Sequence, residues 1–327
     1  MPPKYAGRTG DTDNPWVPRS RYPRVTTKPQ YTDRMVRLRI RQPHDQILMT
    51  EILMGLFDGK KGIVLGVAND RSIAWAIAKE ILEQGGECGF THLPDKPDDP
   101  KRKNRRRVSR LTDNYDNARF LVPMNVQQDD DIATVMNTAA ETFGKIDFLL
   151  HSIAFASLDD LRGDTVETSR EGFKMAMEIS AYSLVAVANA AKDIMSPSSA
   201  IATMTYFGGE KCVPGYNVMG ICKAALDASV RYLAYDLGPR GIRVNAISAG
   251  PLKTLASSAV GAKGMESLYE HMSPLGRNIT HAEVGRVGAF MLSSMSDGIT
   301  GELLHVDAGY NAMGSPGRLL DQLASNK

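Results

Sequence analysis

Seven short apolar runs, most of them separated by helix-patterned segments, restrict what this chain can fold into more than any other feature. GIVLGV (62–67) reads as a strand buried on both faces. ECGFTH (87–92), RFLVPMNV (119–126), FLLHSIA (148–154), AIATMT (200–205), IRVNAIS (242–248) and ELLHVD (302–307) are the further strand candidates. SIAWAIAKEILEQGG places Ile73, Ile77 and Ile81 four apart, with Gly85 as the stop. Helices are also expected at 129–143, 178–195, 216–237 and 281–295. Strand–helix alternation on this scale implies an α/β fold built on one doubly wound, Rossmann-type parallel sheet of about seven strands, with helices on both faces. The domain is expected over 55–315, with 316–327 a tail; no second domain and no internal repeat is visible.

Charge is uneven. The net +2 hides ten Lys/Arg against five Asp/Glu in residues 1–54, with seven of the 17 prolines, while the rest carries 29 against 32. The basic pI thus reflects the first 54 residues, and no nucleic-acid partner is expected for the body. Proline and like charge oppose a packed core, so residues 1–54 are read as largely disordered. A targeting leader and a basic partner-binding arm are weighed for them; the preferred reading makes Met54 the true start, because globular patterning begins at MGLFDGKKGIVLGV. No apolar run approaches the roughly 18 residues that span a bilayer, so no membrane partner is expected. Cys88, Cys212 and Cys222 lack metal or redox spacing and fit a reducing, cytoplasmic setting; the six scattered histidines give no metal site.

The first strand–helix turn reads GVANDRSIA. Gly66 would let the backbone approach a diphosphate, and Ser72 and Ile73 open a helix whose N-terminus attracts anions. It is not GxGxxG, and an ordinary turn is the competing reading. Asn125 and Val126 follow the third strand, and Ser152, Ile153 and Ala154 the fourth, at the strand ends where such sheets bind ligands; for Asn125 a loop cap competes. At the end of the second strand come His92, Leu93 and Pro94, with Asp95 late for the carboxylate that binds an NAD ribose. The run KRKNRRR (101–107), six basic residues in seven, is read first as a solvated loop and second as a holder for a 2′-phosphate, so NADH is expected and NADPH stays open.

YNVMGICK (216–223) sets Tyr216 and Lys223 seven apart, on one helix face and about 10.5 Å apart along the axis. Tyr206 follows the AIATMT strand, again at a C-terminal edge. Packing alone is the competing account of such a pair. Residues 254–272 mix small residues with an amphipathic stretch, Met265, Leu268, Tyr269 and Met272, read as a lid over an acyl chain or as core.

GVANDRSIAWAIA, HSIAFA, ISAYSLVAVA, TYFGGEKCVPGYNVMGICKAAL, GIRVNAISAGPLKTLA and GELLHVDAGY closely resemble the NAD(P)H-dependent enoyl-[acyl-carrier-protein] reductases of the short-chain dehydrogenase superfamily, from about Gly55 to Gly314. The Tyr–x6–Lys spacing is specific to them; ordinary superfamily members use Tyr–x3–Lys, which here would put Met219 in the tyrosine's place. The resemblance implies that Tyr216 is the active tyrosine, Lys223 the cofactor-binding lysine and Tyr206 the second tyrosine. It implies cofactor contacts at Gly66, Ser72, Ile73, Asn125, Val126, Ser152, Ile153, Leu252 and Thr254, and substrate contacts at Ala154, Tyr206, Tyr216 and Met219. Asn125 stands where many relatives have Asp, and the 94–115 segment is longer and more basic than usual.

The implied reaction is reduction of trans-2-enoyl thioesters on acyl carrier protein in fatty-acid elongation. Hydride enters at C3 while charge gathers on the C1 oxygen, two carbons away. Moving the tyrosine from position 219 to 216 is a way to reach that displaced oxygen. The carrier protein is expected to be acidic, with Lys253 and Lys263 the nearby cations, and the resemblance implies that the small-residue helices at 178–195 and 216–237 pair between subunits of a homotetramer. A carbonyl or hydroxyacyl reductase and a non-catalytic nucleotide sensor are the rival readings; Met219 argues against the first and the intact Tyr–Lys pair against the second.

Overall fold

The computed structural model describes residues 55–254 and 265–320; expectations for 1–54, for 255–264 and for 321–327 lie outside the described residues. Seven parallel strands form one sheet in the order β3-β2-β1-β4-β5-β6-β7. They are β1 (Lys61–Leu65), β2 (Glu87–His92), β3 (Ala118–Pro123), β4 (Ile146–His151), β5 (Met195–Thr205), β6 (Ile242–Ala249) and β7 (Leu303–Val306). The strand order reverses between β1 and β4, which places the ligand crevice at their carboxyl ends.

Helices cover both faces. One face carries α1 (Ile73–Glu83), α2 (Lys103–Thr112) and α9 (His281–Leu292), the other α3 (Asp129–Phe143), α6 (Ser183–Ala191) and α7 (Asn217–Leu237). The isoleucine spacing of α1 buries Ile77 and Ile81 fully. The helix stops as expected: Gly85 has φ +91°, and the Gly85 and Gly86 N–H groups donate back to Leu82 O and Ile81 O, closing the last turn. α9 seats against α1 because Gly288 leaves room for Ile77.

Three expectations need correction. KRKNRRR is not a loop, since α2 begins inside it. Asp95 accepts from the Asn104 and Arg105 N–H groups at 2.6 and 3.3 Å, and Asp99 from those of Lys101 and Lys103. Two carboxylates thus satisfy the start of a helix whose cations face water, while Val108 and Thr112 are buried. The expected helix at 178–195 is a π-helical turn, Glu178–Tyr182, followed by α6, and β5 already begins at Met195. Ser198, at φ +62°, lies where the β4–β5 register shifts, an irregularity that hides the strand's first half from a pattern search. Finally, the third strand expected over 119–126 ends at Pro123, and Asn125 and Val126 follow it in the loop, where the sequence reading set them. Two helices went unread, α4 (Leu158–Arg162) and α5 (Arg170–Met177). A helix within the expected lid, α8 (Met265–Met272), completes the set.

Candidate active site

Gly66 follows β1 at the switch point, at φ +97°, where a Cβ would overlap the Ser152 carbonyl oxygen. Only glycine allows the β1 and β4 ends to approach this closely. The Ser72 hydroxyl accepts from the Ala68 and Asn69 N–H groups at 3.0 and 3.1 Å, so it folds the 68–72 turn and makes no side-chain cap on α1. The Trp75 and Ala76 N–H groups donate to Ser72 O, which leaves the N–H groups of Ile73 and Ala74 as the anion-favouring start of α1 next to Gly66.

Beyond β4, Ser152 and Ile153 are half-buried and Ala154 is exposed. The Ser180 hydroxyl anchors this loop: it donates to Phe155 O and accepts from Phe155 N–H, both at 2.9 Å. Ser180 belongs to the π-helical turn, a local feature with no sequence signature, which is why its role went unread. Asn125 Oδ1 accepts from the Gln127 N–H at 3.2 Å, the loop-cap geometry weighed for it, while Val126 is buried. Leu252 is buried and Thr254 half-buried beyond β6. Asp95 caps α2, so its carboxylate is engaged there.

α7 carries the chemical end. Tyr216 occupies its N-cap position and Lys223 lies two turns in. Asn217, at φ +43°, ties this start to α4 by donating to Leu161 O at 3.0 Å and to Gly163 O. Gly208 has the Tyr216 ring where a Cβ would stand, which lets the loop after β5 press against α7. The result is edge contact between the Tyr206 and Tyr216 rings, centroids 4.7 Å apart at 68°. Lys223, 5% exposed, donates from Nζ to Met204 O at 2.8 Å. The sequence placed Tyr206, Tyr216 and Lys223 at one strand edge and helix face, and all three meet at the C-terminal end of β5. Met219 is different: 6% exposed, it packs in a small cluster with Leu161, Ala176, Val218 and Cys222, its Sδ 3.8 Å from Ser180 Oγ.

Burial dominates the electrostatics. It lowers the Lys223 pKa to about 8, partly opposed by Asp227 one turn on. It drives the Tyr216 phenol well above its ordinary range, so Tyr216 stays protonated with a hydrogen to donate. Asp227 is also raised by burial, opposed by the Thr205 hydroxyl and by Lys223. Its i+4 spacing from Lys223 is a signal legible in the sequence. His151, buried at the end of β4, is lowered to about 3 by burial and then by Lys223. The Ser183 hydroxyl donates to Ile179 O, so His151 Nε2–H donates to Ser183 and Nδ1 accepts from Thr203; the ring is a neutral strut between β5 and α6.

α8 brings Tyr269 to the site. It is 1% exposed, stacks on Tyr310 with centroids 3.8 Å apart at 13°, and its hydroxyl lies 3.1 Å from that of Tyr206. Tyr269 is packed, as the core reading of this stretch has it, and it touches a candidate site residue. Tyr310, after β7, ends the GELLHVDAGY segment, whose resemblance carried no site role for it. Among the described residues no group of three or more His, Cys, Asp or Glu could hold a metal ion, and no helix is long and apolar enough to cross a membrane.

An ammonium carries three donors, and Met204 O takes one from Lys223. The remaining donors suit ribose hydroxyls, and Gly66 with the α1 N-terminus suits a diphosphate, so the residues fit a nicotinamide dinucleotide.

The model of the family Enoyl-(Acyl carrier protein) reductase matches residues 66–311. The enoyl-[acyl-carrier-protein] reductase [NADH] FabI of Nostoc sp. is 49% identical over 257 residues, 78% of this chain and 98% of that protein. The enoyl-[acyl-carrier-protein] reductase [NADH] 1 of Rhizobium meliloti is 46% identical over 261 residues, 80% of this chain and 93% of that protein. The solved structure of the Bacillus cereus enoyl-acyl carrier protein reductase with NADP+ and indole naphthyridinone superposes with TM-score 0.75 at 45% identity, covering 80% of this chain and 100% of that one. The Anaplasma phagocytophilum reductase in complex with NAD gives 0.74 at 42%, covering 80% and 97%. With its candidate site residues at the carboxyl ends of the strands of a single parallel sheet and this breadth of similarity, the chain belongs to the enoyl-(acyl carrier protein) reductase family.

Proposed function

We propose that this chain reduces the 2,3 double bond of trans-2-enoyl thioesters on acyl carrier protein, with NADH as the reductant, in fatty-acid elongation. The carrying observation is the Tyr216–Lys223 pair on α7, seven apart, with Met219 buried where an ordinary carbonyl reductase keeps its tyrosine. When bound, NADH supplies the hydride that C3 of the enoyl group accepts. Lys223 holds the nicotinamide ribose and so fixes the approach to C3. Gly66 and the α1 N-terminus at Ile73 hold the diphosphate, and the 125–126 and 152–154 loops line the rest of the crevice. Tyr216, kept protonated by burial, donates a hydrogen bond to the thioester oxygen as charge develops there. Tyr206, edge-on to Tyr216, faces the same oxygen. C2 then takes its proton from water.

The test is nicotinamide oxidation followed by absorbance, with a 2-enoyl thioester or a 3-ketoacyl thioester and either NADH or NADPH. NADH consumption with the enoyl substrate alone supports the assignment. Turnover of the 3-ketoacyl substrate, or cofactor binding without any turnover, overturns it.

The working assembly is a homotetramer. Exposed apolar side chains on α7 (Ile221, Tyr232, Tyr235) and on the α5–α6 side (Phe173, Tyr182) suit pairing with a second copy, and the edge strand β7 is only half covered. Light scattering on the eluting protein reads the mass directly; a monomer rejects this. The free thiols Cys88, Cys212 and Cys222 suit a cytoplasmic enzyme.

A further inference from the structure

The hydroxyls of Tyr206 and Tyr269 lie 3.1 Å apart, and one hydrogen lies between them. Tyr269 is nearly sealed from solvent, its ring fixed on Tyr310, which in turn has Phe207 edge-on at 5.7 Å. Among the described residues its hydroxyl has Tyr206 as its hydrogen-bond partner. Tyr206 is half-buried and stands against Tyr216.

A phenol donates one hydrogen and accepts others. If Tyr206 donated to Tyr269, it would offer a substrate oxygen only lone pairs, which repel the charge that builds there. If Tyr269 donates, the Tyr206 hydrogen is free to turn toward that oxygen. A sealed hydroxyl that failed to donate would waste its hydrogen at a desolvation cost, and Tyr206 Oη is the acceptor in reach. We infer that Tyr269, on α8, is a positioning residue: it donates to Tyr206 and thereby makes Tyr206 a second hydrogen-bond donor to the thioester oxygen. The inference rests on the reading that Tyr206 faces the substrate. It deepens that reading by making the donor count at the oxygen depend on where α8 is seated. Negative charge gathering on the substrate oxygen polarises Tyr206, which strengthens the bond from Tyr269 in turn. Burial raises the Tyr206 phenol above its ordinary range, and the bond from Tyr269 opposes that rise.

The test is a double-mutant cycle with Tyr206→Phe and Tyr269→Phe, each of which keeps its ring. The readouts are kcat and KM for a 2-enoyl thioester, NADH affinity by fluorescence, and the melting temperature. Tyr269→Phe should lower kcat by roughly 3- to 10-fold, less than the loss of a direct donor, with NADH affinity unchanged. In the Tyr206→Phe background the same change should alter kcat by less than about 2-fold, because its effect passes through Tyr206. Equal losses in both backgrounds overturn the inference, since packing alone would act regardless of Tyr206, and so does wild-type kcat in Tyr269→Phe. Wild-type kcat in Tyr206→Phe removes the premise that Tyr206 faces substrate. Failure of the unmodified enzyme to reduce enoyl thioesters separately rejects the activity itself.

Discussion

Lys223→Met should make the cofactor-free protein more stable while abolishing its response to NADH. The buried ammonium has a pKa near 8 against 10.5 for a free lysine. The native state therefore binds its proton less tightly than the unfolded chain does. Below pH 8 both states hold the proton, and the native state bears the full burial penalty. At roughly 1.36 kcal/mol per pKa unit this is about 3 kcal/mol. Between pH 8 and 10.5 the unfolded chain still binds the proton and the native state does not, so the lysine's penalty fades as pH rises. It is about 2 kcal/mol at pH 9 and near zero above pH 10.5. Methionine fills the site with a chain of similar length and carries no charge. Its advantage should thus be largest at pH 7 and decline across that window. The figure is an upper bound, because Asp227 loses the cation that favours its ionised form. Denaturant unfolding of both proteins at pH 7, 8, 9 and 10, with and without NADH, reads the effect. A variant less stable than the parent at pH 7, or an advantage independent of pH, would refute the burial argument. Retained stabilisation by NADH would refute the lysine's place in the cofactor site.

Tyr216→Phe should lower kcat/KM by roughly 100-fold, the scale of one lost oxyanion donor, with NADH affinity intact, whereas Lys223→Ala should lose more because it also loses cofactor; steady-state kinetics with separate NADH titrations decide. Gly66→Ala forces a side chain at φ +97° into the Ser152 carbonyl, so NADH binding should weaken by at least roughly tenfold and the melting temperature fall. Glu283 closes the capping box of α9 and takes two hydrogen bonds from Arg277, which holds its pKa down to about 2. Its stabilising effect is present above pH 4.5 and is lost as pH falls toward 2, so Glu283→Gln should lower the melting temperature at pH 7 and progressively less below pH 4.5.

The site was legible where chemistry depends on local spacing. Seven residues of helix put Tyr216 and Lys223 on one face whatever surrounds them, and a glycine after a buried strand marks a close backbone approach. Signals failed where partners lie far apart in the chain. Tyr269 meets Tyr206 across 63 residues, and Ser180 anchors Phe155 across 25, by way of a π-helical turn. The helix α2 was hidden for a related reason: its seven surrounding cations disfavour a helix locally, and Asp95, nine residues before Asn104, reverses that by capping it.

By itself, the sequence determined the parallel sheet, its helical layers and the tyrosine–lysine helix, because strand and helix periods are local properties of the backbone. Tertiary structure alone decided how those groups behave. Burial of Lys223 against β5 lowers its pKa, the packing of Met219 seats it in a small apolar cluster, and α8 gives Tyr206 a hydroxyl partner. Desolvation and hydrogen bonding act through space, between residues whose spacing along the chain gives no hint that they meet.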